Sequence, residues 1–148
     1  MKTTDEPIII EQIFNSSVEA VWNSITEIEQ MHKWYFENIP AFKPEIGFET
    51  QFNVQIEQRN FLHIWKVVEV QPMKLIKYSW EFEEYNGKSN TAFEILKENN
   101  QTRLRLTVEV LKDFPDDIPE FKRESSSAGW EYFINGRLKD YLENNLSF

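Results

Sequence analysis

The spacing of apolar and polar residues changes period several times along this chain, and each change marks an element. Ile8, Ile9, Ile10, Ile13 and Phe14 form a largely β-branched run after Pro7 that predicts a first strand of about seven residues. Asn15, Ser16 and Ser17 interrupt it. Ser16 or Ser17 can accept hydrogen bonds from the first free amides of a helix, and Ser16 with Glu19 has the spacing of a capping box. Val18, Val21, Trp22 and Ile25 then recur at helical spacing, and a second short helix is predicted over Glu27 to Trp34. The stretch Tyr35 to Ile46 contains Pro40 and Pro44 and reads as a connection.

After Gly47 the period falls to two. Phe48, Thr50, Phe52 and Val54 alternate with Glu49, Gln51, Asn53 and Gln55, as on a strand with one buried face. Further strands are predicted at Phe61–Val70, Leu75–Glu83, Ser89–Leu96 and Thr102–Leu111, with turns at Pro72, Asn86-Gly87 and Asn99-Asn100. Short turns between consecutive strands make an antiparallel meander. A loop with Pro115 and Pro119 follows, and then Glu120 to Leu146 carries no proline. Trp130, Ile134, Leu138, Tyr141 and Leu142 fall on one stripe of this helix, with Phe133 and Arg137 at its edge. At 1.5 Å per residue it is roughly 35 Å long. Gly129 and Gly136 inside it each cost about 1 kcal/mol of helix propensity, and a close approach to the sheet is their expected cause.

These elements describe one α+β domain spanning residues 1–148, with no repeat or linker to divide it. One predicted strand places Ile76, Tyr78, Trp80 and Phe82 on a single face. That face needs a cover, and the C-terminal helix carries the only large apolar stripe available.

Charge and composition narrow the partners. Lysine and arginine total 16 against 25 acidic residues, a formal net charge of -9. Such a balance repels phosphate backbones and argues against nucleic acid as a partner. No apolar run approaches the ~18 residues of a spanning helix, and residues 1–6 do not resemble a signal peptide, so a cytoplasmic location is expected. With no cysteine there are no disulfides, thiol nucleophiles or thiolate metal sites. The two histidines, His32 and His63, fall in different elements without a metal-ligand motif, so neither metal nor other cofactor is expected. The four glycines are isolated and form no phosphate-binding loop. Adjacent Glu83 and Glu84 point to opposite faces of a strand, and Asp116-Asp117 lies in a proline-flanked loop, so neither pair suits general acid catalysis.

What remains is an aromatic surplus: 12 phenylalanines, five tryptophans and five tyrosines. Trp34, Trp65, Trp80, Trp130 and Phe133 either fill the core or line a cavity. Arg137, near the helix stripe, either reaches a ligand oxygen with its guanidinium or lies along apolar surface with its head in water.

Val18-Glu19-Ala20-Val21-Trp22 with Thr26 and Trp34 resembles the amino-terminal pattern of the START-like, or SRPBCC, superfamily. Val67-Val68-Glu69-Val70-Gln71-Pro72, Leu75 and Trp80 resemble central strands of its bacterial branch, named after the C-terminal domain of the heat-shock-protein-90 ATPase activator. Gly129-Trp130, Phe133, Leu138, Tyr141 and Leu142 are similar to its closing helix, and the likeness runs from about Ile8 to Leu146. The resemblance implies a helix-grip fold, in which a bent sheet of six or seven strands wraps around the long C-terminal helix. It further implies a space between them that, in relatives, holds lipids, polyketides, hormones or aromatic molecules.

The leading functional expectation is noncatalytic binding of a small hydrophobic or aromatic molecule between sheet and helix. The expected contact residues are Trp34, Phe36, Phe52, Trp65, Tyr78, Trp80, Trp130, Phe133 and Arg137. One alternative is a protein-interaction or stress-associated module, meeting a protein partner through Phe36, Ile39 and Phe42; a homodimer is also open. The other is a cyclase-, aromatase- or hydrolase-like enzyme, for which His63, Glu109, Tyr78 and Arg137 are the polar candidates. No catalytic residue is assigned from the sequence.

Overall fold

The computed structural model describes residues 1–144. β1 (Ile8–Phe14) leads into α1 (Val18–Thr26) and α2 (Ile28–Trp34). Five strands follow: β2 (Glu49–Ile56), β3 (Arg59–Gln71), β4 (Leu75–Phe82), β5 (Tyr85–Glu98) and β6 (Gln101–Lys112). They pair antiparallel in one six-stranded sheet of order β1-β6-β5-β4-β3-β2. This is the expected helix-grip architecture, a curved sheet packed against the C-terminal helical region, with two short helices after the first strand.

Period-two patterning sets which face is buried. Phe61, His63, Trp65 and Val67 of β3 point inward, as do Thr102, Leu104, Leu106 and Val108 of β6. The outer face carries charge. Arg103 bridges Glu11 and Glu98, and Arg105 bridges Glu11 and Glu94. Those pairs are solvent-screened and fix strand register more than they add stability.

Two local details depart from the sequence reading. The cap of α1 is Ser17, whose Oγ accepts from the Ala20 amide at 3.0 Å, so the first turn is one residue later than the Ser16–Glu19 box requires. Asn86-Gly87 does not form the hairpin turn. The chain reverses at Glu83-Glu84, and Gly87 lies inside β5 with φ +124°, where the pairing register with β4 shifts. Its glycine is needed for a bulge. Asn99-Asn100 does turn, with Asn99 at φ 52°.

The C-terminal region is also less regular than one α-helix. Pro119–Phe121 forms a 3-10 turn, and α3 (Arg123–Glu131) begins two residues later. A π-helical segment, Tyr132–Leu138, follows, and α4 (Lys139–Asn144) continues the rod. The sequence-based helix end at Leu146 lies outside the described residues. Trp130, Ile134 and Leu138 are buried as the stripe requires, with Tyr141 and Leu142 half-buried against the core. Gly129 and Gly136 do not press on the sheet, because a Cβ built at either meets nothing within 4 Å.

Two apolar clusters hold these layers. The main one joins the inner sheet face to α1, α2, the connection and the helix stripe. A smaller one, built on Phe61, Phe114 and Phe121, lies beneath the loop after β6 and is joined by Phe82 and Tyr85.

Candidate functional site

The space that matters lies at the seam between these two clusters. A cavity of about 280 Å³ is walled by side chains from both. β3 supplies Phe61 and His63, β4 supplies Trp80 and Phe82, and β5 supplies Ser89 and Thr91. Phe36 of the connection, Glu120 and Phe121 of the 3-10 turn, and Ser125, Ser126, Gly129 and Trp130 of α3 close it. Val54 and Ile56 at the end of β2 form its rim, and Ile56 is 37% exposed. The mouth therefore lies between the β2–β3 hairpin and the start of α3, and the cavity occupies the amino-terminal end of the helix rather than its length.

The wall is mostly aromatic, and its rings brace one another. Trp130 meets Trp80 edge-on at 5.7 Å between ring centres, and Phe36 lies 5.1 Å from Phe133 and 5.2 Å from His63. Phe121 is 5.0 Å from Phe82 and 5.6 Å from Phe61. Edge and offset contacts at these distances stabilise a wall without closing the space it surrounds.

Two ionisable side chains belong to the wall. His63 is buried at 6% exposure, stacked on Phe52 at 4.8 Å. Burial drives its pKa down to about 4, outweighing the Phe61 carbonyl bond and the more distant Glu84 charge, which both raise it. The ring is thus neutral at ordinary pH. Nδ1 lies 2.8 Å from the Phe61 carbonyl, which can only accept, so Nδ1 carries the hydrogen and Nε2 keeps its lone pair. Glu120 is held by one oxygen: Arg59 donates to Oε2 at 2.7 Å, whereas Oε1 is buried without a partner. The Thr91 hydroxyl is likewise buried and unpaired.

The expected contact residues divide between wall and core. Phe36, Trp80 and Trp130 line the cavity. Trp34 does not: its indole N–H donates to the Ser24 carbonyl at 2.7 Å and its ring stacks on Tyr35 deep in the core. Phe52, Trp65 and Tyr78 are also packed in the main cluster, behind the wall. Tyr78 shares a 2.9 Å hydrogen bond with Tyr35, and burial raises both phenol pKa values. Phe133 sits between Trp34, Tyr35 and Trp130 as core filler. Arg137 stands on the surface, where its guanidinium donates to the Lys33 carbonyl at 2.8 Å and ties the π segment to the end of α2.

The surface expected for a protein partner is not open. Ile39 and Phe42 are 1% and 6% exposed, and Phe36 is half-buried against the core. The enzyme candidates are dispersed, since Glu109 is on the outer face, Tyr78 in the core and Arg137 on the surface. Among the described residues no group of three or more His, Asp or Glu side chains could hold a metal ion, and no helix is long and apolar enough to cross a membrane.

Sequence reasoning did not pick out Phe61, Phe82, Thr91, Glu120 or Phe121 as wall residues. Alternation already placed Phe61 beside His63 and Phe82 beside Trp80. Glu120 and Phe121 were hidden by assigning them to the long helix. The signal was Pro119, which suits the first position of a separate short turn.

The family model for Activator of Hsp90 ATPase homolog 1-like protein matches residues 15–143. The chain belongs to that family. No curated protein matches it in sequence. Among solved structures, this Hsp90-activator-like chain is similar to protein CV1439 of Chromobacterium violaceum, with a TM-score of 0.76 and 16% identity over 93% of this chain and 96% of that one. It is similar to the Aha1 dimer of Colwellia psychrerythraea at TM-score 0.72 and 19% identity, covering 94% and 97%. It also resembles DynU16, from the dynemicin biosynthetic locus, at TM-score 0.74 and 21% identity, covering 95% of this chain but 48% of that one. The chain thus spans about half the length of DynU16. At these identities the likeness establishes the shared fold of the activator-like family.

Proposed function

We propose that this chain binds a small apolar, aromatic molecule in the cavity between β3–β5 and α3, without transforming it. The observation that carries this reading is the space itself, about 280 Å³ walled by Phe36, Phe61, Trp80, Phe82, Phe121 and Trp130. An apolar cavity of about 150 Å³ is enough for benzene, so two fused rings fit here. Apolar walls with a few polar groups are the usual make-up of a ligand pocket. The dispersal of the polar candidates supports a noncatalytic role, because acid–base chemistry needs its groups within hydrogen-bond reach of one reacting atom.

Trp80 and Trp130 supply the test. Titration with naphthalene and with a fluorescent fatty acid, followed by tryptophan emission, should show saturable binding of the aromatic probe at micromolar concentration. The Gly129→Leu variant, which places a side chain into the cavity, should abolish it. No saturation by any aromatic probe would overturn the reading.

A second reading, self-association, is favoured by the dimeric Colwellia relative. Sedimentation velocity over a hundredfold range of concentration decides it, and a single monomeric species throughout would remove it.

A further inference from the structure

His63 brings an unanswered acceptor to the wall. Its Nδ1–H is spent on the Phe61 carbonyl at 2.8 Å, so Nε2 holds a lone pair and no hydrogen. Burial keeps the ring neutral at ordinary pH. Among the described residues three side-chain polar atoms are both sealed and unpaired: Trp65 Nε1, the Thr91 hydroxyl and Glu120 Oε1. Nε2 has no partner either, yet it is not one of these three, so it opens onto the cavity that the ring lines. Phe52 and Phe82, each at 4.8 Å, and Phe36 at 5.2 Å brace the ring in that orientation.

The other open polar groups of the wall are less selective. The Ser89, Ser125 and Ser126 hydroxyls turn to donate or to accept, and the indoles of Trp80 and Trp130 donate. A ligand's acceptor therefore has several donors available, none of them bonded to Nε2. A molecule that fills the cavity and expels solvent leaves Nε2 bare unless it brings a donor of its own, and that loss weakens binding. An ammonium is a poor donor here. The aromatic wall does not repay its desolvation, and the wall's one carboxylate is already paired with Arg59.

We propose that the cavity selects an aromatic molecule carrying a neutral hydrogen-bond donor, an O–H or a ring N–H, which Nε2 of His63 receives. The proposal rests on the cavity-binding reading and adds to it the ligand's polar group and the side chain that reads it.

Size-matched probes isolate the effect. 2-Naphthol and 2-fluoronaphthalene fill nearly the same volume, and only the first donates. By calorimetry, native protein should bind 2-naphthol roughly tenfold tighter, the range set by a buried acceptor satisfied or left bare. In His63→Phe, which keeps a ring against Phe52, that advantage should vanish. The serines remain in this variant, so a hydroxyl received by them would keep its advantage there. 2-Naphthaldehyde, which only accepts, should keep the same affinity relative to 2-fluoronaphthalene in both proteins.

The nitrogen can also be read in the native protein by NMR, which decides the matter if His63→Phe does not fold. The Nε2 resonance of His63 should lie closer to that of a protonated ring nitrogen with 2-naphthol bound than with 2-fluoronaphthalene bound. His32, bonded to the Ile39 carbonyl outside the wall, is the internal reference. Equal binding of the two probes by native protein would overturn the donor preference and leave the cavity reading standing. An advantage that persists in His63→Phe, or a His63 resonance that is the same with either probe bound, would remove His63 as the receiver. If no probe binds, the cavity reading fails and this inference with it.

Discussion

Gly87 and Phe114 are packed so closely that no side chain fits between them. A Cβ added at Gly87 would stand 2.2 Å from Phe114 Cδ1, and the glycine φ of +124° is itself closed to other residues. Gly87→Ala should therefore cost about 2–4 kcal/mol, combining backbone strain with overpacking. Urea denaturation measures it. Phe114→Ala in the same chain should recover part of that loss, so the two substitutions should be less than additive.

His63 makes stability depend on pH in a window above that of the carboxylates. Its folded pKa of about 4 lies below its ordinary value of 6.5. Between those values the unfolded chain takes up a proton that the folded chain refuses. Stability from this group is complete above pH 6.5 and is lost as pH falls toward 4, by up to roughly 3 kcal/mol. Glu11, held low chiefly by Arg105, and Glu143, held low chiefly by the Asn15 amide, act below their ordinary value of 4.5. Denaturation curves at pH 7 and pH 5 should thus differ in the native protein and nearly coincide in His63→Phe. Equal losses in both would show that the ring is not protected from protons.

Trp130→Ala should destabilise the fold by about 3 kcal/mol, the lower end of the usual range for a buried aromatic. The indole is 6% exposed and touches Trp80 and Phe93, but one side borders open volume and loses fewer contacts. The same substitution should weaken naphthalene binding at least tenfold. A loss under 1 kcal/mol with unchanged binding would mean that the helix presents a different face.

Gly129→Ala should raise stability by about 0.5–1 kcal/mol, because it gains helix propensity and its Cβ meets no neighbour within 4 Å. Thermal melts of this variant and of Gly129→Leu separate stability from occupancy. Both should fold, and only the leucine should block the aromatic probe.

Sheet, helices and their faces were legible because burial follows period two or three and a half through almost every element. The inward rows of β3, β4 and β6 are the residues that alternation selects. The cavity was only half legible. Trp80 and Trp130 could be placed beside it from strand and helix phase, but Trp34, Phe52, Trp65 and Tyr78 are equally aromatic and equally inward. What separates them is depth within the bent sheet, set by long-range packing rather than local spacing. Gly87 misled for a similar reason: an Asn-Gly pair favours a tight turn, yet the ring of Phe114, 27 residues away, claims the glycine for close contact. Glu120 was missed because its role depends on Arg59 across the mouth, a pairing without local signature.

The π segment divides the terminal rod into two α-helices that need not share a phase. Its i to i+5 bonding takes up about one residue more per turn than its neighbours. The rows on either side can then be aimed separately, with Trp130 toward the open volume and Tyr141 toward Gln30 of α2. Removal of one residue between 132 and 138, with return to ordinary α pitch, would leave the two halves nearly in phase, because the π segment already takes up about one residue in excess. The chain should therefore tolerate the loss of one residue in this stretch more readily than the gain of one.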